Sequence, residues 1–274
     1  METAVIRQKQ DLTYLEWTRT RGSSGTAGSF LKAFSEIQGN RTYYKLSNYD
    51  AVRGVVGHES VNELIVDRLL TKLGVPHVPY QLIHADVLVD GKRMETWLCA
   101  SEDFKRRGES KIALDLLYSM EKTEGETPLA FCERQGWSEF IWQMLMVDFV
   151  ILNRDRHGAN IEILRDSYRK TYRPAPLFDH GVSLLCSCLD EKALREFDVL
   201  EDRRVQSFVG SGSTRDNLRL IPGEARTCRG SLAESDRMDL LRDLDGVMPQ
   251  VWLDKVWEMI WKRWRLYEDF CNQK

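Results

Sequence analysis

The most constraining stretch of the sequence is "SEFIWQMLMVDFVILNRDRHGAN", residues 138–160. Its first part, up to Leu152, is apolar at almost every position, which predicts a helix buried on all sides within a core. A polar turn follows at once and presents Asp155, His157 and Asn160 within six positions. A rigid buried helix that leads directly into such a turn predicts a functional loop at the floor of a cleft.

The sequence before residue 102 is typical of a sheet with one helix. Apolar and polar residues alternate in three segments, a glycine-rich stretch separates the first two, and helical spacing follows. The segments are "TYLEWTRTR" (13–21), "GSSGTAG" (22–28), "SFLKAFSEI" (29–37), "RTYYKLS" (41–47) and a helix over 58–73. A hairpin around Asp90-Gly91 completes this part. The pattern predicts an antiparallel sheet with a glycine-rich loop at one end.

After Ser101 the sequence changes to mainly helical patterns, including "ESKIALDLLYSMEK" and the apolar helix described above. We therefore expect an α+β chain of two lobes. The small lobe is predicted to span residues 1–101 and the large lobe residues 102–274.

Charge and hydropathy narrow the classes of partner. The formal net charge is −3, and basic residues alternate with acidic ones, so no cationic face for nucleic acid is predicted. No apolar run reaches the about 18 residues of a membrane-spanning helix, and "METAVIRQKQ" lacks the apolar core of a signal peptide. We expect a cytoplasmic protein that binds neither nucleic acid nor membrane directly.

Three oxygen-bearing side chains are candidates for a site. Asp155 and Asn160 lie in the polar turn, and Asp179 lies in "LFDHG" after the next short strands. Magnesium prefers oxygen ligands and retains several waters, so Asn160 and Asp179 together with phosphate oxygens make a sufficient site. Asp155 is then free to orient or deprotonate an attacking hydroxyl.

Phosphate groups in the same cleft need a cation and backbone donors. Lys45, in "YYKLS", is the candidate cation, and Glu63, which borders an apolar helix face, is its predicted partner. Glu59, one turn earlier, is the alternative. The glycine-rich stretch can bring backbone N–H groups against phosphate, and His157 can contact the phosphate or the loop backbone. The predicted loop residues are Gly22, Ser23, Ser24, Gly25 and Gly28.

"NRDRHGAN" followed by "LFDHG" resembles the catalytic and metal-binding loops of HipA-like kinases and, more distantly, those of phosphoinositide kinases and other protein-kinase-like folds. The segments "VNELIV" and "GVPHVPYQLI" resemble the small lobe of that family. The resemblance implies a two-lobed protein-kinase-like fold that uses ATP and Mg²⁺. It implies that Asp155 is the catalytic base, Asn160 and Asp179 are metal ligands, and Lys45 pairs with Glu63.

The expected activity is transfer of the ATP γ-phosphoryl group to a hydroxyl of a protein serine or threonine. Two alternatives stay open. One is a kinase for a small molecule or lipid, and the other is a nucleotide-binding pseudokinase that acts as an interaction module, with a DNA-binding protein as its partner.

Overall fold

The computed structural model of the chain describes residues 4–19, 30–226 and 230–273. Its amino-terminal part consists of eight strands and one helix, α1 (Glu59–Leu73). The strands are β1 (Val5–Asp11), β2 (Thr18–Arg19), β3 (Leu31–Ile37), β4 (Asn40–Leu46), β5 (Tyr49–Asp50), β6 (Gly54–Val55), β7 (Gln81–Val89) and β8 (Lys92–Glu102).

Six of these strands form the central sheet, in the order β1-β7-β8-β4-β3-β2. Neighbouring strands are antiparallel except for β1 and β7, which are parallel. The antiparallel-rich sheet of the prediction is therefore confirmed. Strand β1 was not predicted, because its polar sequence "VIRQKQD" pairs with a strand that is distant along the chain. In "TYLEWTRTR", only Thr18–Arg19 forms a strand among the described residues.

Helix α1 packs against β4, β7 and β8 and is buried along most of its length. It ends at Gly74, whose φ of +67° is the left-handed conformation that glycine adopts without strain. The Gly74 N–H bonds to the carbonyls of Leu70 and Thr71 at this end. The helix therefore presents fixed side chains to the centre of the sheet.

The carboxyl-terminal part is mainly helical. Its helices are α2 (Leu114–Glu121), α3 (Pro128–Arg134), α4 (Ser138–Val150), α5 (Glu191–Glu196), α6 (Thr214–Leu218), α7 (Arg237–Leu240) and α8 (Gln250–Asn272). Its strands are β9 (Glu109–Ala113), β10 (Asp155–Arg156), β11 (Glu162–Asp166), β12 (Thr171–Pro174) and β13 (Gln206–Ser207). Short 3₁₀ turns lie at Gly158–Asn160, Gly223–Ala225 and Glu234–Asp236. The α+β architecture with a sheet-rich first part and a helical second part is as predicted.

Helix α4 is buried nearly all round and contacts α3, α6 and α8. It belongs to the larger apolar cluster, which extends through α8 and also includes the buried face of α1. A smaller cluster lies within the central sheet. Because α1 shares the larger core, it connects the sheet to the helical part. The division of the chain at residues 101 and 102 remains a prediction.

Among the helices in residues 4–19, 30–226 and 230–273, none combines the length and the apolar character that crossing a membrane would require.

Candidate active site

Lys45 lies on β4 and its side chain is buried. Its Nζ donates a hydrogen bond to Oε1 of Glu63 on α1 at 2.9 Å. Glu63 is fully buried, so solvent does not screen the pair. Glu59 instead accepts a hydrogen bond from the backbone N–H of Asn48 at 3.0 Å. Of the two glutamates considered in the sequence, it is Glu63 that the structure brings to Lys45.

Asp179 reaches the same lysine from the helical part. Lys45 Nζ donates a hydrogen bond to Oδ1 of Asp179, and Nζ of Lys32 lies 3.6 Å from its Oδ2. The φ of Asp179 is +59°, a left-handed conformation that non-glycine residues seldom adopt and that is concentrated at functional sites. The backbone thus holds this carboxylate against the two lysines.

Charges at this site control each other's protonation. Burial alone would lower the pKa of Lys45, but the carboxylates of Asp179 and Glu63 outweigh it and hold the pKa well above its ordinary value. Burial would likewise raise the pKa of Asp179, but Lys45 and Lys32 hold it well below the usual range. Lys45 and Asp179 are therefore both charged near neutral pH.

The loop after α4 carries Asp155, His157 and Asn160. Asp155 Oδ1 is buried and has no hydrogen-bond partner among the described residues, and His157 Nε2 lies 3.7 Å from it. Burial raises the pKa of Asp155, and the charges of His157, Asp179 and Lys45 also act on it. The amide Nδ2 of Asn160 donates to the backbone carbonyl of Asp155 at 2.8 Å, which leaves its oxygen on the other side of the amide.

A buried ion pair braces this loop. Asp148, on α4, accepts hydrogen bonds from Nε and Nη2 of Arg156 and from Nδ2 of Asn153. Arg156 Nη1 donates to the carbonyls of Asn160 and Phe178, at 3.1 and 3.0 Å. One arginine thereby connects the core helix, the Asp155 loop and the segment just before Asp179.

We expect Asp148→Asn to lower the free energy of unfolding by about 3–5 kcal/mol, because it leaves Arg156 charged and buried without a carboxylate partner. Urea unfolding followed by tryptophan fluorescence measures this change. The control is Asp216→Asn, since the Asp216–Arg219 pair is more than half exposed on both sides. It should cost less than about 1 kcal/mol. Equal costs for the two variants would contradict the bracing role of Asp148.

Glu63 also connects the sheet to the loop of Asp179. Its Oε2 accepts a hydrogen bond from the backbone N–H of His180 at 2.8 Å. Asn62, the residue directly before Glu63, donates from Nδ2 to the carbonyls of Gly181 and Ser183, both at 3.0 Å. A displacement of α1 would therefore displace the Asp179 loop as well.

A cleft of about 340 Å³ adjoins Lys45 and Asp179. Its lining combines aromatic and apolar side chains with a few charged ones: Lys32, Tyr43, Tyr44, Lys45, Val78, Tyr80, Cys99, Ser101, Glu102, Phe104, Lys111, Glu162, Phe178 and Asp179. Asp155, Asn160 and His157 are not part of this wall. The predicted loop residues Gly22, Ser23, Ser24, Gly25 and Gly28 lie outside the described residues.

Lys32 was missed by the sequence analysis. It lies directly opposite Lys45 in the β3–β4 ladder, so two lysines reach Asp179 from neighbouring strands. The tight turn "QGN" (38–40) determines how β3 and β4 pair, and the sequence could have shown this register. A two-residue turn at Gln38-Gly39 pairs Ile37 with Asn40, and counting back along both strands pairs Lys32 with Lys45.

The donor set fits a magnesium–nucleotide complex. Asp179 and Asn160 offer the hard oxygen atoms that magnesium prefers, and a site of this kind is completed by phosphate oxygens and water. Lys45 and Lys32 both approach Asp179 with their side-chain amines. Oδ1 of Asp155 has no hydrogen-bond partner among the described residues.

Comparison with known proteins finds similarity to kinases. The sequence matches no protein-family model. It is 27% identical over 161 residues to the serine/threonine-protein kinase CtkA of Helicobacter pylori. The aligned residues make up 58% of this chain and 46% of that kinase. The chain thus matches about half the length of this curated relative.

Similar solved structures were also found. The crystal structure of the Helicobacter pylori proinflammatory kinase CtkA matches with a TM-score of 0.61 at 16% identity, covering 97% of this chain and 99% of that one. HipA of Shewanella oneidensis, solved with HipB and operator DNA, gives a TM-score of 0.44 at 15% identity, covering 92% of this chain and 59% of that one. The CtkA match shows that the chain has a kinase-like fold. The chain, which carries "NRDRHGAN" and "LFDHG", is thus similar to the kinase CtkA in fold and, over part of its length, in sequence.

Proposed function

We propose that the chain is a magnesium-dependent kinase that transfers the γ-phosphoryl group of ATP to a serine or threonine hydroxyl of a protein. The observation that carries the proposal is the convergence of the buried Lys45–Glu63 pair and Asp179. Oδ1 of Asp155 is buried without a partner among the described residues, and the charges of Asp179 and Lys45 act on the pKa of this carboxyl. Phosphoryl transfer requires positioning and charge neutralisation more than covalent chemistry, and this donor set provides both.

Each residue has a distinct role in the proposal. Lys45, held by Glu63, binds phosphate oxygens, and Lys32 adds a second ammonium group from β3. Asn160 and Asp179 would hold the cation through their side-chain oxygens. When bound, the cation would supply positive charge to the phosphate oxygens during transfer.

Asp155 acts on the acceptor. Its Oδ1 accepts a hydrogen bond from the substrate hydroxyl, orients the oxygen for attack and takes up the proton as the new bond forms. Arg156, the residue after Asp155, is held by its hydrogen bonds to Asp148 and so keeps this carboxylate in place. His157, 3.7 Å from the same oxygen, supports the loop next to the phosphates.

Two properties of the acceptor rest on other observations. The relative CtkA is a serine/threonine-protein kinase by name, and this favours a protein hydroxyl over a small molecule or lipid. The near-neutral charge favours a protein substrate in the cytoplasm over a nucleic acid or membrane. A DNA-binding protein is a candidate partner through the HipA resemblance.

The proposal is tested by nucleotide binding followed by transfer. At a nucleotide concentration of about 100 times Kd, ATP with Mg²⁺ should raise Tm by roughly 5 °C. In Asp179→Asn, the part of this rise that depends on Mg²⁺ should disappear. Incubation with γ-labelled ATP and a cell extract should then label protein serine or threonine.

The outcomes separate the alternatives. Binding without transfer to protein, metabolite or lipid supports the pseudokinase. Label in a metabolite or a lipid fraction supports the other kinase class. The absence of any binding would overturn the kinase proposal itself.

A further inference from the structure

A charged pair lines the same cleft as Lys45 and Asp179. Lys111 lies on β9 and Glu162 on β11, and both line the cleft. Lys111 Nζ lies 3.9 Å from Glu162 Oε2, beyond hydrogen-bond distance. Phosphate binding at Lys45 and Asp179 does not require either residue.

Lys111 is held in place by other groups. Its Nζ lies 3.1 Å from Oδ1 of Asp103 and 4.0 Å from the centre of the Phe104 ring. It also lies 5.3 Å from the centre of the Tyr43 ring. The ammonium group is therefore fixed at the cleft with protons left to donate.

Glu162 is in the opposite condition. Its Oε2 is buried and accepts no hydrogen bond from any described residue. A buried carboxylate oxygen without a donor is destabilising by about 1–3 kcal/mol, so this atom is suited to a ligand that brings an N–H group. The pair thus offers one acceptor and one donor to the cleft.

The surrounding wall suits a flat ring. Phe104 and Phe178 lie 5.9 Å apart with tilted rings, and Tyr43, Tyr80 and Val78 complete the apolar part. Aromatic side chains stack with nucleobases, whereas Lys32 and Lys45 of the same cleft suit phosphates. A nucleotide that spans the cleft therefore places its base against Lys111 and Glu162.

We propose that Glu162 and Lys111 read the edge of the nucleobase and that the chain accepts GTP as a phosphoryl donor alongside ATP. The inference rests on the proposed kinase function. Guanine presents N1–H and an amino group to the carboxylate of Glu162 and its O6 to the ammonium group of Lys111. Adenine presents one amino group and ring nitrogens, so it uses the same pair less completely.

The two bases respond differently to loss of the carboxylate. With leucine at position 162, the N1–H and the amino group of guanine would be buried without a partner, which is costly. Adenine has fewer groups that must be satisfied there. Selectivity for ATP over GTP should therefore increase.

The test is calorimetric titration with Mg²⁺ and the non-hydrolysable analogues of ATP and GTP. In the parent chain the dissociation constants of the two analogues should agree within about tenfold. Glu162→Leu should raise the ratio of the dissociation constant of the GTP analogue to that of the ATP analogue at least about tenfold. Glu162→Gln, which keeps the shape and removes the charge, should raise it in the same direction. A ratio that stays within about twofold of the parent in both variants overturns the inference.

A probe that needs no variant gives an independent check. Inosine triphosphate lacks the 2-amino group of GTP, so the parent chain should bind it about fivefold more weakly. Equal binding of the two nucleotides would contradict the contact with Glu162. If neither ATP nor GTP binds, the kinase proposal fails. If ATP binds and GTP binds more than about tenfold more weakly, only the base-reading inference fails.

Discussion

Replacing Asp155 by asparagine should lower the rate of phosphoryl transfer by about 10²–10⁴-fold. Asparagine keeps the size of the side chain and the Asx turn that the Asp155 backbone N–H makes with Asn153 Oδ1. It removes the carboxylate that takes up the proton of the acceptor hydroxyl. Single-turnover transfer of label from saturating γ-labelled ATP measures the chemical step without the contribution of product release.

The matched control for this variant is Asp166→Asn. Asp166 ends β11. Its Oδ1 accepts hydrogen bonds from the turn N–H groups of Tyr168 and Arg169, and its Oδ2 lies 3.8 Å from Nε of Arg169. Its replacement should leave the transfer rate within about threefold of the parent, because surface substitutions seldom change stability by more than about 0.5 kcal/mol. Transfer by Asp155→Asn at the rate of the control would remove Asp155 from the mechanism.

The sequence predicted those elements whose signals are local. The predicted helix over 58–73 corresponds to α1 (Glu59–Leu73), because its apolar spacing and Gly74 define both face and end. The predicted strand over 41–47 corresponds to β4 (Asn40–Leu46) for the same kind of reason, since alternation and a tight turn are short-range features. Register also follows from such a turn, and it would have placed Lys32 beside Lys45.

Other features depend on contacts between distant segments. The parallel pairing of β1 with β7 joins residues that no local pattern relates. The full burial of Arg156 depends on its ion pair with Asp148 on α4, which lies eight residues earlier in the chain. The meeting of Lys111 and Glu162 at the cleft likewise requires the folding of β9 onto β11. The local sequence pattern does not predict these contacts between distant segments.

The second large effect concerns the stability of the Lys45–Glu63 pair. Lys45→Met should lower the free energy of unfolding by about 3–5 kcal/mol, because Glu63 is then a fully buried charge without its ammonium partner. The His180 N–H at 2.8 Å remains as a donor to Glu63 but supplies no net charge. Asp179 loses one lysine and retains Lys32 at 3.6 Å. Urea unfolding of the nucleotide-free protein measures the loss separately from catalysis.

The double variant Lys45→Met/Glu63→Gln distinguishes an ion pair from two independent side chains. Because methionine and glutamine carry no charge, the double variant should be more stable than the sum of the single losses predicts, by about 1–3 kcal/mol. The exposed pair Glu191–Arg195 is the control. The single and double variants of this pair should give a coupling free energy below about 1 kcal/mol. Additive losses at Lys45 and Glu63 would show that the two side chains do not stabilise each other. A large coupling together with lost activity in all three variants would mean that the same buried pair stabilises the fold and also holds the phosphate-binding lysine in place. Replacement of the pair by apolar residues would then abolish phosphoryl transfer.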